Sequence, residues 1–86
     1  MTREELEEIL NKANAFSDMS KSYILIGLNI IEKYTPGFNI EPRHDIIYAG
    51  DIDSILQAGL TIEDADELRK QNWMFDDEYD CLSVFT

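Results

Sequence analysis

At 86 residues the chain has room for one domain, 1–86, and its 44% hydrophobic content, with four Phe, four Tyr and one Trp, is enough to build a core in spite of the charge. Eighteen acids against seven bases leave a net charge of −11; this argues against direct binding to nucleic acid or bare anionic membrane and favours basic protein surfaces as partners. The single cysteine, Cys81, excludes an intrachain disulfide and a multi-thiolate zinc site, Met1 to Glu5 lacks the apolar stretch of a secretory signal, and the apolar run Tyr23 to Leu28 is too short to span a bilayer, so the cytoplasm is the expected compartment.

Thr2 with Glu5 makes a capping box, and Leu6, Ile9, Leu10, Ala13 and Phe16 follow at helical spacing, which predicts a first helix over about 3–15. Ser17-Asp18 offers the next cap. From Ser20 to Tyr34 the apolar set Tyr23, Ile24, Gly27, Leu28, Ile30, Ile31 and Tyr34 covers one broad arc, so a second helix is expected as the central element of the core, stopped by Thr35-Pro36-Gly37. Phe38 to Arg43 reads as a loop, and Asp45-Ile46-Ile47-Tyr48-Ala49, bounded by Gly50-Asp51, as a strand buried on both faces. One or two helical turns over Asp53 to Ala58 end at Gly59, and Thr61 with Asp64 caps a further helix to Lys70 that turns Ile62, Ala65 and Leu68 inward and its acids outward. Trp73-Met74-Phe75 and Cys81 to Phe85 flank a polar turn, the pattern of a terminal β-hairpin. The expected fold is α+β in the order α-α-β-(α)-α-β-β, a three-stranded antiparallel sheet with helices on one face.

Residues able to carry chemistry are few. His44 adjoins Asp45 and lies near Asp51 and Asp53, but one histidine cannot make a His-rich metal site, and the aspartates lack the Gly and Glu spacing of an EF-hand loop. Cys81 in the last strand reads as a small hydrophobe, and the isolated glycines form no phosphate-cradling loop. No catalytic residue, metal ligand or cofactor is expected. The remaining signal is acidic. Residues 1–43 hold seven acids and five bases, whereas 44–86 hold eleven and two. Glu63, Asp64, Asp66 and Glu67 crowd one helix, while Asp76, Asp77, Glu78 and Asp80 crowd the hairpin turn around Tyr79, the one aromatic expected to be exposed. Acids in a first helical turn suit the helix dipole, but four within five residues of a turn repel one another, which points to use by a partner.

The run His44-Asp45-Ile46-Ile47-Tyr48-Ala49-Gly50, the capped acidic helix, Trp73 and the closing Ser83-Val84-Phe85 resemble small acidic accessory proteins encoded by bacteriophages and mobile elements, over roughly the last half of the chain. In those proteins the helix ends in Leu-Gly-Trp and the last strand carries a second Trp; here these positions read Gln71-Asn72-Trp73 and Leu82. The resemblance implies a small phage-type accessory protein, of a group similar to those in which acidic inhibitors of host nucleases and immune systems occur, and it supplies no catalytic residues. The expected function is a non-enzymatic acidic binding protein, a nucleic-acid mimic that sets Glu63, Asp64, Asp66, Glu67, Asp76, Asp77, Glu78, Tyr79 and Asp80 against the basic groove of a host protein. The alternative is a structural or regulatory interaction module, self-associating as a homodimer, whose charge serves solubility alone.

Overall fold

The capping box at the N-terminus forms in both directions: Thr2 Oγ1 accepts from the Glu5 amide at 3.1 Å, and the Thr2 amide donates to Glu5 Oε1 at 3.1 Å. It opens α1 (Arg3–Leu10) in a computed structural model that describes residues 1–12 and 22–86. Then follow α2 (Ser22–Tyr34), β1 (Ile40–Arg43), β2 (Ile46–Asp51), α3 (Ile52–Gln57), α4 (Ile62–Lys70), β3 (Met74–Asp76) and β4 (Cys81–Phe85). The fold is α+β. The expected stripe positions Ala13 and Phe16, the Ser17-Asp18 cap and the expected start of the second helix at Ser20 lie outside the described residues. No helix among those described is long and apolar enough to cross a membrane.

The sheet has four antiparallel strands in the order β1-β2-β4-β3, not three. The additional strand is β1, whose four residues are all exposed; without a buried face it has no alternating apolar signature, and Pro42 speaks against a strand. The register explains why Pro42 is tolerated. Asn39 accepts from the Gly50 amide, so Glu41 opposite Tyr48 continues the hydrogen-bonded pairs, and Pro42 opposite Ile47 falls on a pair whose amide would face outward. Its missing N–H costs the ladder nothing and blunts the open edge. At the other end of β2 the pairing with β4 shifts between Ala49 and Asp51, a bulge centred on Gly50 at φ 78°, where an added Cβ would stand 2.9 Å from Ile31 Cγ2.

The helices α3 and α4 end alike. Leu60 N–H donates to Ile55 O and Gly59 N–H to Leu56 O; thirteen residues on, Trp73 N–H donates to Leu68 O and Asn72 N–H to Arg69 O. Both are Schellman caps with a left-handed residue at the turn, Gly59 at φ 94° and Asn72 at φ 66°. In each the flanking apolar pair, Ile55 with Leu60 and Leu68 with Trp73, is buried in the core. Asn72 thus occupies the left-handed position that the Gly of Leu-Gly-Trp would suit, since Asn is among the few residues with a side chain that visit it readily.

Burial follows the strand alternation except at Ser83, which lies between Leu82 and Val84 on the opposite face and is 2% exposed. Ala49, Leu82 and Val84 face the helices and are fully buried, with Ile47 and Phe75 packed against them. The neighbouring positions Ile46, Tyr48 and Cys81 are only half-buried and Phe85 is exposed, so β2 is covered on one face, not two. Trp73, 1% exposed, is the largest fully buried side chain. Helix α2 is not the centre of the core: of its wide apolar arc only Gly27 and Ile31 are fully buried, and Leu25 and Ile26 are exposed. Ile62, expected inward, is 61% exposed at the start of α4, and the buried α4 face is Ala65 and Leu68 alone.

Candidate functional site

The acids of α4 are engaged by the protein itself. Asp64, which is half-buried rather than outward, takes hydrogen bonds on Oδ2 from Tyr34 Oη and, at 2.9 Å, from Lys33 Nζ. Tyr34 Oη in turn accepts from the Thr61 amide at 3.4 Å, joining the end of α2 to the cap of α4. These donors, Tyr34 foremost and then Lys33, hold the Asp64 carboxyl below its ordinary range. Asp66 pairs with Arg69 at 2.9 Å and Lys70 at 3.5 Å, and the Arg69 hydrogen bond lowers its pKa likewise. Glu67 accepts from the Gln71 side chain at 2.7 Å. Glu63 alone of the four stands exposed without an ion pair among the described residues.

The hairpin acids differ. Asp76, the last residue of β3, folds the turn by accepting on Oδ1 from the amides of Glu78 and Tyr79, each at 3.1 Å. Asp80, left-handed at φ 53°, receives Arg3 Nη2 at 2.8 Å, while Arg3 Nη1 reaches Asp53 at 3.1 Å and its guanidinium carbon lies 5.4 Å from the centre of the Phe75 ring. One α1 residue therefore fastens the turn to α3. Asp77 and Glu78 are exposed at its tip and meet no cation among the described residues. No hydrogen bond or ion pair among those residues joins the α4 acids to the hairpin acids: the first group is tied to α2 and to the last turn of α4, the second to α1 and α3.

Beside the turn lies a groove of about 440 Å³, between the loop Thr35 to Asn39 and the residues Tyr79 to Cys81, with β1, β2 and the start of α3 along it. Tyr48 and Tyr79 meet edge to face in its wall, ring centres 5.1 Å apart at 72°. Tyr79 is exposed as expected, and Phe85 is exposed too. Arg43 lies in the groove, its Nε and Nη2 both donating to Glu41 Oε1 at 3.2 and 2.6 Å; Glu41 chiefly, and the two tyrosines after it, raise the pKa of that guanidinium. Burial first, then the carboxylate of Asp76, raises the pKa of the Tyr48 phenol. Burial, followed by the charges of Asp76, Asp51, Asp80 and Glu41, pushes the Cys81 thiol up to about 11, which makes it a poor nucleophile at neutral pH.

Glu41, Arg43, Tyr48 and Asp51 were not among the residues expected to bind a partner. A signal was present, since Glu41 and Arg43 two apart on a strand share a face, but it could be read only once β1 was recognised as a strand. The residues grouped around His44 in sequence separate in space. His44 is exposed at the β1–β2 turn, Asp51 caps α3 through the Ser54 amide and hydroxyl at 2.9 and 2.8 Å, and Asp53 faces Arg3. Among the described residues no three His, Cys, Asp or Glu side chains converge to hold a metal ion. Comparison with protein families, curated proteins and solved structures gives no match.

Proposed function

We propose that the protein is a non-enzymatic acidic binding protein whose partner is a basic protein surface, with the contact made at the hairpin end of the molecule. The observation that carries this reading is the pair Asp77 and Glu78, exposed and unneutralised at a turn that Arg3 and Asp76 hold in shape. A rigid turn presents charge without first losing conformational entropy on binding. The basic groove with which a host nuclease or immune protein holds nucleic acid is a surface of the required sign, so occupancy of that groove is the mechanism proposed. The α4 carboxylates, most of them already matched by internal donors, add less. The test is capture of partners from a bacterial lysate at low and high salt, with and without Asp77→Lys and Glu78→Lys. A nucleic-acid-binding partner released by salt or by added duplex DNA, and lost in the doubly reversed variant, is expected. Undiminished capture by that variant would sink the reading.

A second reading has its own observation. Leu25, 61% exposed, and Ile26 lie on α2 away from the core, as an apolar contact for self-association would. A homodimer that persists in sedimentation at high salt, and is lost on Leu25→Lys, is the outcome it requires.

A further inference from the structure

The groove beside the hairpin combines aromatic walls with acidic ones. Each of three lining carboxylates uses only one of its oxygens: Glu41 Oε1 holds Arg43, Asp51 Oδ2 holds Ser54, and Asp80 Oδ1 holds Arg3. The second oxygens, Glu41 Oε2, Asp51 Oδ1 and Asp80 Oδ2, accept no hydrogen bond among the described residues. Among the described residues Arg43 is the sole cation lining this space, against the three carboxylates of Glu41, Asp51 and Asp80, so the groove keeps an excess of negative charge.

Taking the chain as an acidic binding protein, as above, we propose that this groove receives an arginine side chain of the basic partner, its guanidinium against the Tyr48 and Tyr79 pair and its N–H groups on unused carboxylate oxygens among those of Glu41, Asp51 and Asp80. A planar fork with five donors can lie on an aromatic face and reach more than one carboxylate, which the point charge of lysine cannot do. A divalent cation is a poorer fit, because no three acidic side chains converge closely enough to ligate one. The volume, about 440 Å³, is in the range that holds a long side chain with its flanking backbone.

The experiment is a titration of the full chain, followed by amide NMR shifts at low salt, with a capped peptide Gly-Arg-Gly-Arg-Gly and its lysine and citrulline counterparts. The arginine peptide should shift the amides of Tyr48, Gly50, Tyr79 and Cys81 and bind about tenfold more tightly than either counterpart. Tyr79→Ala and Glu41→Gln, both at exposed positions, should each weaken it about fivefold, with unfolding curves confirming that the variants fold. Equal binding of the lysine peptide, shifts centred on Asp77 and Glu78, or indifference to both variants would overturn the arginine site while leaving the acidic binding reading intact. The two fail separately: reversal of Asp77 and Glu78 tests that reading and leaves every groove residue in place.

Discussion

The indole of Trp73 stands where a side chain of Gly27 would be: a Cβ there would lie 1.8 Å from Nε1 and 2.1 Å from Cε2. The same N–H donates to the Tyr23 carbonyl at 3.1 Å, one turn earlier in α2. Helix α2 is thus docked on Trp73 through its backbone, which is why so apolar a helix buries so few of its own side chains.

Replacement of a glycine inside a helix by alanine ordinarily gains about 1 kcal/mol. Gly27→Ala should do the reverse, because Trp73 is 1% exposed and has nowhere to move; a net loss of about 2 kcal/mol or more is expected from overpacking. Urea unfolding gives the sign, and a stabilised variant would mean that the indole does not sit against α2.

Asn72 invites a paired substitution. At φ 66° it closes the Schellman cap that delivers Trp73 to the core, so Asn72→Ala should cost about 1 kcal/mol and Asn72→Gly much less. Equal costs in thermal unfolding would show that the side chain, not the backbone conformation, is what matters there.

The Tyr34 and Lys33 contacts to Asp64 carry a pH signature. Its folded pKa lies below the ordinary value of 3.8, so the contribution is fully present above about 3.8 and is lost as pH falls through the folded value. Lys33 is 64% exposed and its share is screened, leaving about 1 kcal/mol, mainly from the Tyr34 bond. Asp64→Asn should therefore be less stable than the parent at pH 7, with the difference closing below pH 4. A constant difference from pH 7 to pH 2 would refute the linkage.

Cys81 should be slow to alkylate. A thiol moved from 9.0 to about 11 has about 100-fold less thiolate at pH 8, so the folded protein should react with iodoacetamide about 100 times more slowly than it does in urea, before any loss from limited access. Equal rates would mean that neither burial nor the neighbouring carboxylates hold the Cys81 thiol protonated.

Much of the local structure is legible in the chain. Thr2 with Glu5, Thr61 with Asp64 and Gly59 all act where their spacing predicts, since capping contacts span only three to five residues. Strand β1 is not legible in this way, because an exposed edge strand with a proline has no burial pattern to display. Ile62 shows the converse: its helical spacing is correct, yet as the first residue of α4 it stays 61% exposed while Ala65 and Leu68, one and two turns on, are buried.

The sequence by itself determined the α+β class, the helix caps, the terminal hairpin and the sign of the surface, because each depends on neighbours along the chain or on simple counting. Which acids remain available was decided only by the tertiary structure. Lys33 reaches Asp64 across 31 positions and Arg3 reaches Asp80 across 77, and no local pattern encodes such partners. The groove arises in the same way, from a loop, two strands and a turn brought together by the burial of Trp73, Leu82 and Val84. Burial of the apolar face drives the folding, and the unsatisfied carboxylates are left where that burial happens to set them.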